Sequence, residues 1–182
     1  TVTSATNPSK TYAAAGTYTI TVVGPIGGLG FNGDARISEL MSVERWGNVA
    51  FTTMNQAFFN ATNARFNATD TPDLRNVTNM ESTFRNATSL GNVNLSNWNT
   101  SNVTSMHAIF MDNTTFSGDI SGWNTANVTR LDYAFYNTNG FNSDISGWNV
   151  GNVTNFALAF WDADGFNRNL NSWNTSNVTN MQ

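Results

Sequence analysis

Residues 98–106 read WNTSNVTSM, and the phrase returns at 123–131 (WNTANVTRL), 148–156 (WNVGNVTNF) and 173–181 (WNTSNVTNM). Its opening tryptophans, Trp98, Trp123, Trp148 and Trp173, stand 25 residues apart. Self-similarity at a fixed period of this length marks a stacked repeat, in which each unit buries its apolar face only against its neighbours.

Outward from that phrase the rest of the unit repeats as well. Val103, Val128 and Val153 are followed three residues later by Met106, Leu131 and Phe156, then four later by Phe110, Phe135 and Phe160. Phe116, Phe141 and Phe166 come next, then Ile120, Ile145 and Leu170. An earlier copy runs through Val77, Met80, Phe84, Leu90 and Leu95, with one additional residue between the last two.

Apolar residues at i, i+3 and i+7 share one face of a helix, so Val103, Met106 and Phe110 predict a helix of about two to three turns. Ser101 or Asn102 would cap it, and the same reading applies over 127–136 and 152–161. FSGDIS at 116–121 and FNSDIS at 141–146 place Phe and Ile where a brief strand would bury them. The expected architecture is an α/β repeat. It is a right-handed leucine-rich-repeat-like solenoid of ~25-residue coils, each a short helix plus a short parallel β-strand, preceded by a small β element.

Three segments follow. In residues 1–30, Tyr18, Ile20 and Val22 alternate with threonines as a half-buried strand, ahead of a link containing Gly24, Pro25, Gly27, Gly28 and Gly30. Residues 31–75 read as an N-terminal cap, helical around Ile37, Leu40 and Met41, and a degenerate coil around Met54 and Phe58. Residues 76–182 are the array, whose last coil is incomplete. Trp173, Val178 and Met181 there form an expected assembly face, covered by a further subunit stacked head to tail.

Composition narrows the function. Asn (30) and Thr (25) are abundant while charged residues make up 11%, so amides and hydroxyls keep the surface wet. A net charge of −4 with eight Lys and Arg offers no basic stripe for nucleic acid. The longest apolar stretch, around Ile20 to Ile26, is interrupted by Thr21, Gly24 and Pro25 and predicts no membrane span. Zero Cys excludes disulfides and thiolate metal sites. The chain opens at Thr1, as a processed mature chain or a fragment would.

The copies NVTNMESTFRNATSL and NVTSMHAIFMDNTTFSGDISGWNTANVT resemble the BspA-type leucine-rich repeats of bacterial surface proteins, the domain-of-unknown-function 285 repeats of mycoplasma lipoproteins. The resemblance covers residues 31–182, while KTYAAAGTYTITVVG at 10–24 is similar to the last strands of a PKD-like β-sandwich. It implies a secreted or surface-attached protein with an adhesive role and no catalytic residues.

Individual residues add little chemistry. His107 stands alone, where sister coils carry Asp132 or Ala157, so neither a catalytic triad nor a histidine metal site has its parts. Asp119 and Asp144 recur with Asn169 as solvated turn residues, with calcium the less favoured reading. The repeated tryptophans are core positions rather than sugar platforms. Sequons are numerous, and Asn60, Asn67, Asn86 and Asn113 are candidate glycosylation sites. The expectation is therefore a non-enzymatic, cofactor-free extracellular or cell-surface scaffold that self-associates head to tail. The alternative is an adhesin for a host or matrix protein or glycan.

Overall fold

The computed structural model describes residues 14, 16–19 and 35–182. Most of the N-terminal β segment and its glycine-rich link, including Ile20 and Val22, lies outside the described residues.

Regular secondary structure is almost absent, which overturns the expected helix-plus-strand solenoid. Among the described residues there is one 3-10 helix, Ala35–Glu39, and two strands, β1 (Ser42–Val43) and β2 (Arg65–Phe66). The strands pair in parallel, Ser42 against Arg65 and Val43 against Phe66. The helix expected around Ile37, Leu40 and Met41 stops at Glu39, with Ile37 buried and Met41 58% exposed.

Each repeat is instead a circuit of β-turns closed by i to i+3 backbone bonds. Val103 donates to the carbonyl of Thr100 (2.9 Å), Ile109 to Met106 (3.3 Å), Asn113 to Phe110 (3.0 Å), Phe116 to Asn113 (3.1 Å) and Trp123 to Ile120 (3.2 Å). Turn corners spaced three or four residues apart point inward as a helix face would, so the two structures share one apolar pattern.

Backbone torsions decide between them. Ala108 (φ 51°) and Asp112 (φ 62°) are left-handed, as are Tyr133 and Asn137, Leu158 and Asp162, and Ser82 and Asn86 at the equivalent places. Two such residues four apart end any α-helix, at a cost of roughly 1–2 kcal/mol each. They also turn alternate amides out of the coil. Met106, Ala108, Phe110 and Asp112 donate to the carbonyls of Arg130, Asp132, Ala134 and Tyr136 in the next coil, at 2.9–3.1 Å. Leu131, Tyr133, Phe135 and Asn137 repeat this toward Asn155, Ala157, Ala159 and Trp161.

The expected strands at 116–121 and 141–146 are absent too. Their contacts are single bonds, such as Ser117 to the Gly91 carbonyl (2.8 Å), and the coils meet elsewhere through isolated parallel bridges, Ser105 to Arg130 to Asn155 to Asn180. Gly91, at φ 54°, absorbs the additional residue of the earlier copy.

The core is a set of side-chain columns. Phe58, Phe84, Phe110, Phe135 and Phe160 stack nearly parallel, with ring centroids 5.3–5.8 Å apart. Phe116, Phe141 and Phe166 form a second stack, and Trp123 lies on Trp148 at 6.1 Å. Indole N–H groups are satisfied inside, Trp123 donating to the Leu95 carbonyl at 2.8 Å and Trp148 to Ile120 at 3.3 Å. The N-terminal coil has no tryptophan of its own in this column. Trp46 folds back to meet Trp98 edge-on at 5.3 Å, held where Asp70 accepts the amides of Trp46 and Gly47.

Candidate functional site

Two surfaces stand out, one at the C-terminal end of the stack and one along its side. The first contains part of the expected assembly face. A cavity of about 330 Å³ is lined by Phe156, Phe160, Trp161, Leu170, Trp173 and Met181. Met181 is 62% exposed, and Val178 is half-buried beside the cavity rather than in its lining.

Hydrogen bonding gives this end a polarity. Phe156 and Leu158 donate forward to Asn180 and Gln182 (both 2.8 Å), while the amides of Phe160 and Asp162, whose counterparts in earlier coils donate forward, have no acceptor among the described residues. At the other end the carbonyls of Thr53, Asn55, Ala57 and Phe59 receive no donor among the described residues. The ladder is therefore directional, each coil donating to the one that follows it.

The side surface is built by the left-handed corners. Phe59, Arg85, Met111, Tyr136 and Trp161 occupy one equivalent position in successive coils, half-buried except for Trp161, which is 60% exposed. Arg85 lies over the Phe59 ring at 5.4 Å. Beside them Asn60, Asn86, Asp112, Asn137 and Asp162 form a polar column, in which Asn86 donates to Asn60 (2.9 Å) and Asn137 to Asp112 (3.2 Å). Tyr133 flanks the rings at 5.8 Å from both Tyr136 and His107.

His107 belongs to a charged cluster on this side. Its Nδ1 lies 2.7 Å from Asp132 Oδ2, and Arg130 grips both oxygens of Asp132 at 2.8 and 3.1 Å. Arg130 also reaches Glu81 (3.1 Å), which accepts from the Ser105 hydroxyl (2.8 Å). Burial raises the Asp132 carboxyl, but the Arg130 hydrogen bonds and the nearby His107 outweigh it and hold the group below its ordinary value. The hydroxyl of Ser105 is directed to Glu81 and not to the imidazole, so the cluster ties three coils together without forming a nucleophile and base pair.

The recurring acids are turn formers. Asp119 accepts from the Ser121 amide (2.9 Å), Asp144 from Ser146 (3.0 Å), and Asn94 and Asn169 make the same bond. Hydrogen bonds from Ser121 to Asp119 and from Ser146 to Asp144 hold both carboxyls low. No group of three His, Cys, Asp or Glu suited to a metal ion occurs among the described residues.

Of the candidate glycosylation sites, Asn113 is fully buried, with its amide on the Phe84 carbonyl (3.3 Å). Asn67 donates to Glu44 (2.8 Å), and Asn60 and Asn86 bond each other. The side column was missed in the sequence, although continuing the period one residue past Phe110, Phe135 and Phe160 lands on Met111, Tyr136 and Trp161.

Residues 52–157 and 123–182 match the family described as "Mycoplasma protein of unknown function, DUF285". The chain belongs to that family. No curated protein and no solved structure matches this DUF285 chain. No helix among its described residues is long and apolar enough to cross a membrane.

Proposed function

We propose that this DUF285 chain is a non-catalytic extracellular or cell-surface scaffold of the BspA-like kind, whose copies stack head to tail into a filament. The polarity of the backbone ladder supports this reading. The amides of Met106, Ala108, Phe110 and Asp112 all donate to the following coil and those of Leu131, Tyr133, Phe135 and Asn137 do the same, so the ladder runs in one direction from coil to coil. Such a contact is heterologous and does not close on itself, so it propagates. Sedimentation and electron microscopy across a concentration series test it. Filaments that Met181→Asp abolishes support the reading, and a chain that stays monomeric at high concentration sinks it.

A second reading, a surface adhesin for a host or matrix protein or glycan, is favoured by one observation, the partly exposed aromatic column on the side of the stack.

A further inference from the structure

We infer that the side column formed by Met111, Tyr136 and Trp161 with Asp112, Asn137 and Asp162 is a binding strip for a neutral, extended oligosaccharide lying along the stacking axis. The inference rests on the adhesin reading and names its surface and ligand class.

The strip pairs two kinds of group. Its rings, Tyr136 and the 60% exposed Trp161, with Tyr133 at 5.8 Å from Tyr136, offer faces for the C–H side of a sugar ring. The neighbouring column, Asn86, Asp112, Asn137 and Asp162, offers carboxylate and amide groups that accept from and donate to hydroxyls. Both columns advance one residue per coil, so the surface is linear and repeats at the coil spacing.

Other polymers fit less well. An extended peptide binds a repeating backbone by adding to a free edge, and here the amides of Met106, Ala108, Phe110 and Asp112 are already bonded to the next coil. An anionic chain would face Glu81, Asp112, Asp132 and Asp162 against Arg85 and Arg130, and both cations are already paired, Arg85 with Asp112 and Arg130 with Asp132 and Glu81. The left-handed corners keep the rings outward. Asp112, Asn137 and Asp162 have φ between 52° and 62°, which turns the chain immediately after Met111, Tyr136 and Trp161.

The test titrates the whole chain with neutral hexasaccharides of glucose, mannose and N-acetylglucosamine, followed by calorimetry and tryptophan fluorescence. Saturable binding of at least one is expected, weakened roughly tenfold by Tyr136→Ala or Trp161→Ala, about the effect of one lost ring contact. Thermal unfolding of both variants should match the parent, because neither ring is core. Trp161→Phe, which keeps an aromatic face, should retain most of the affinity. Failure of every hexasaccharide to bind, or binding that survives the double variant Tyr136→Ala/Trp161→Ala, overturns the inference. Loss of binding to a deglycosylated matrix protein in that double variant, with no sugar binding in the parent, also overturns it and leaves the adhesin reading standing.

Discussion

The side-chain amide of Asn127 donates to the backbone carbonyl of Ser101 in the preceding coil at 2.7 Å. Asn102, Asn152 and Asn177 make the same bond to Arg75, Ala126 and Gly151, each at 2.7 Å. The asparagine of the repeated NVT phrase is therefore an inter-coil clip, and its threonine is another, Thr129 bonding the Thr104 carbonyl through both amide (2.9 Å) and hydroxyl (3.1 Å). Asn127→Asp places a carboxylate oxygen against that carbonyl and should destabilise the chain by about 1 kcal/mol, read as a lower urea midpoint with unchanged slope. An unchanged midpoint would show that the clip contributes nothing.

Asn113 leaves its Oδ1 buried without a partner. Its counterparts are Ala87, Thr138 and Ala163, and Thr138 donates to the Phe110 carbonyl at 2.9 Å. Asn113→Thr keeps a donor for the Phe84 carbonyl and removes the orphaned oxygen, so it should stabilise by roughly 1–2 kcal/mol. That corresponds to a thermal midpoint higher by about 2–8 °C. A lower midpoint would refute the assignment.

Gly118 and Gly147 make a matched pair of probes. A Cβ on Gly118 would sit 2.0 Å from the Val93 carbonyl oxygen, whereas one on Gly147 meets nothing within 4 Å. Gly118→Ala forces the coils apart and should cost roughly 1–3 kcal/mol. Gly147→Ala should leave calorimetric unfolding near that of the parent. Equal effects would mean that the coil contact at Val93 is not as tight as described.

Asp119 and Asp144 hold their turns as Asn94 and Asn169 do. Asp119→Asn and Asp144→Asn should leave the unfolding temperature at neutral pH unchanged, and calcium chloride should not raise that of the parent. A calcium-dependent rise that these substitutions remove would restore a metal role.

Asp132 supplies an acid-sensitive tie. Its carboxyl is held below the ordinary value, so its contribution is complete above the unfolded aspartate pKa, about 3.9, and disappears as pH falls through the lower folded value. Its side chain is 5% exposed and Arg130's 43%, so solvent screens part of the pairing. Asp132→Asn should lower stability at pH 7 by about 1–2 kcal/mol and flatten the acid limb of the stability profile. Parallel profiles for the two proteins would place the acid sensitivity elsewhere.

The period, the buried columns and the family were legible because Trp98 to Trp173 and Phe110 to Phe160 recur without a break in register. The local conformation was not. Val103, Met106 and Phe110 satisfy a helix and a chain of β-turns equally, and of the paired deciding torsions those on Asp112, Asn137 and Asp162 fall on residues that favour the left-handed region, while Ala108, Tyr133 and Leu158 do not favour it by themselves. The identities of Ala108, Tyr133 and Leu158 carry no signal, since inter-coil bonding imposes the torsion there. The side column stayed hidden behind the assumption that repeated aromatics belong inside.

Because the backbone bonds between coils join residues about 25 apart, length is a free variable of this design. Excising 124–148 would rejoin Trp123 to Asn149 with each stack still aligned, and inserting a copy would do the same. The reach of the protein can therefore change by whole units of about 5 Å without a new core having to be invented, because the stacked rings Phe110, Phe135 and Phe160 lie 5.3–5.8 Å apart.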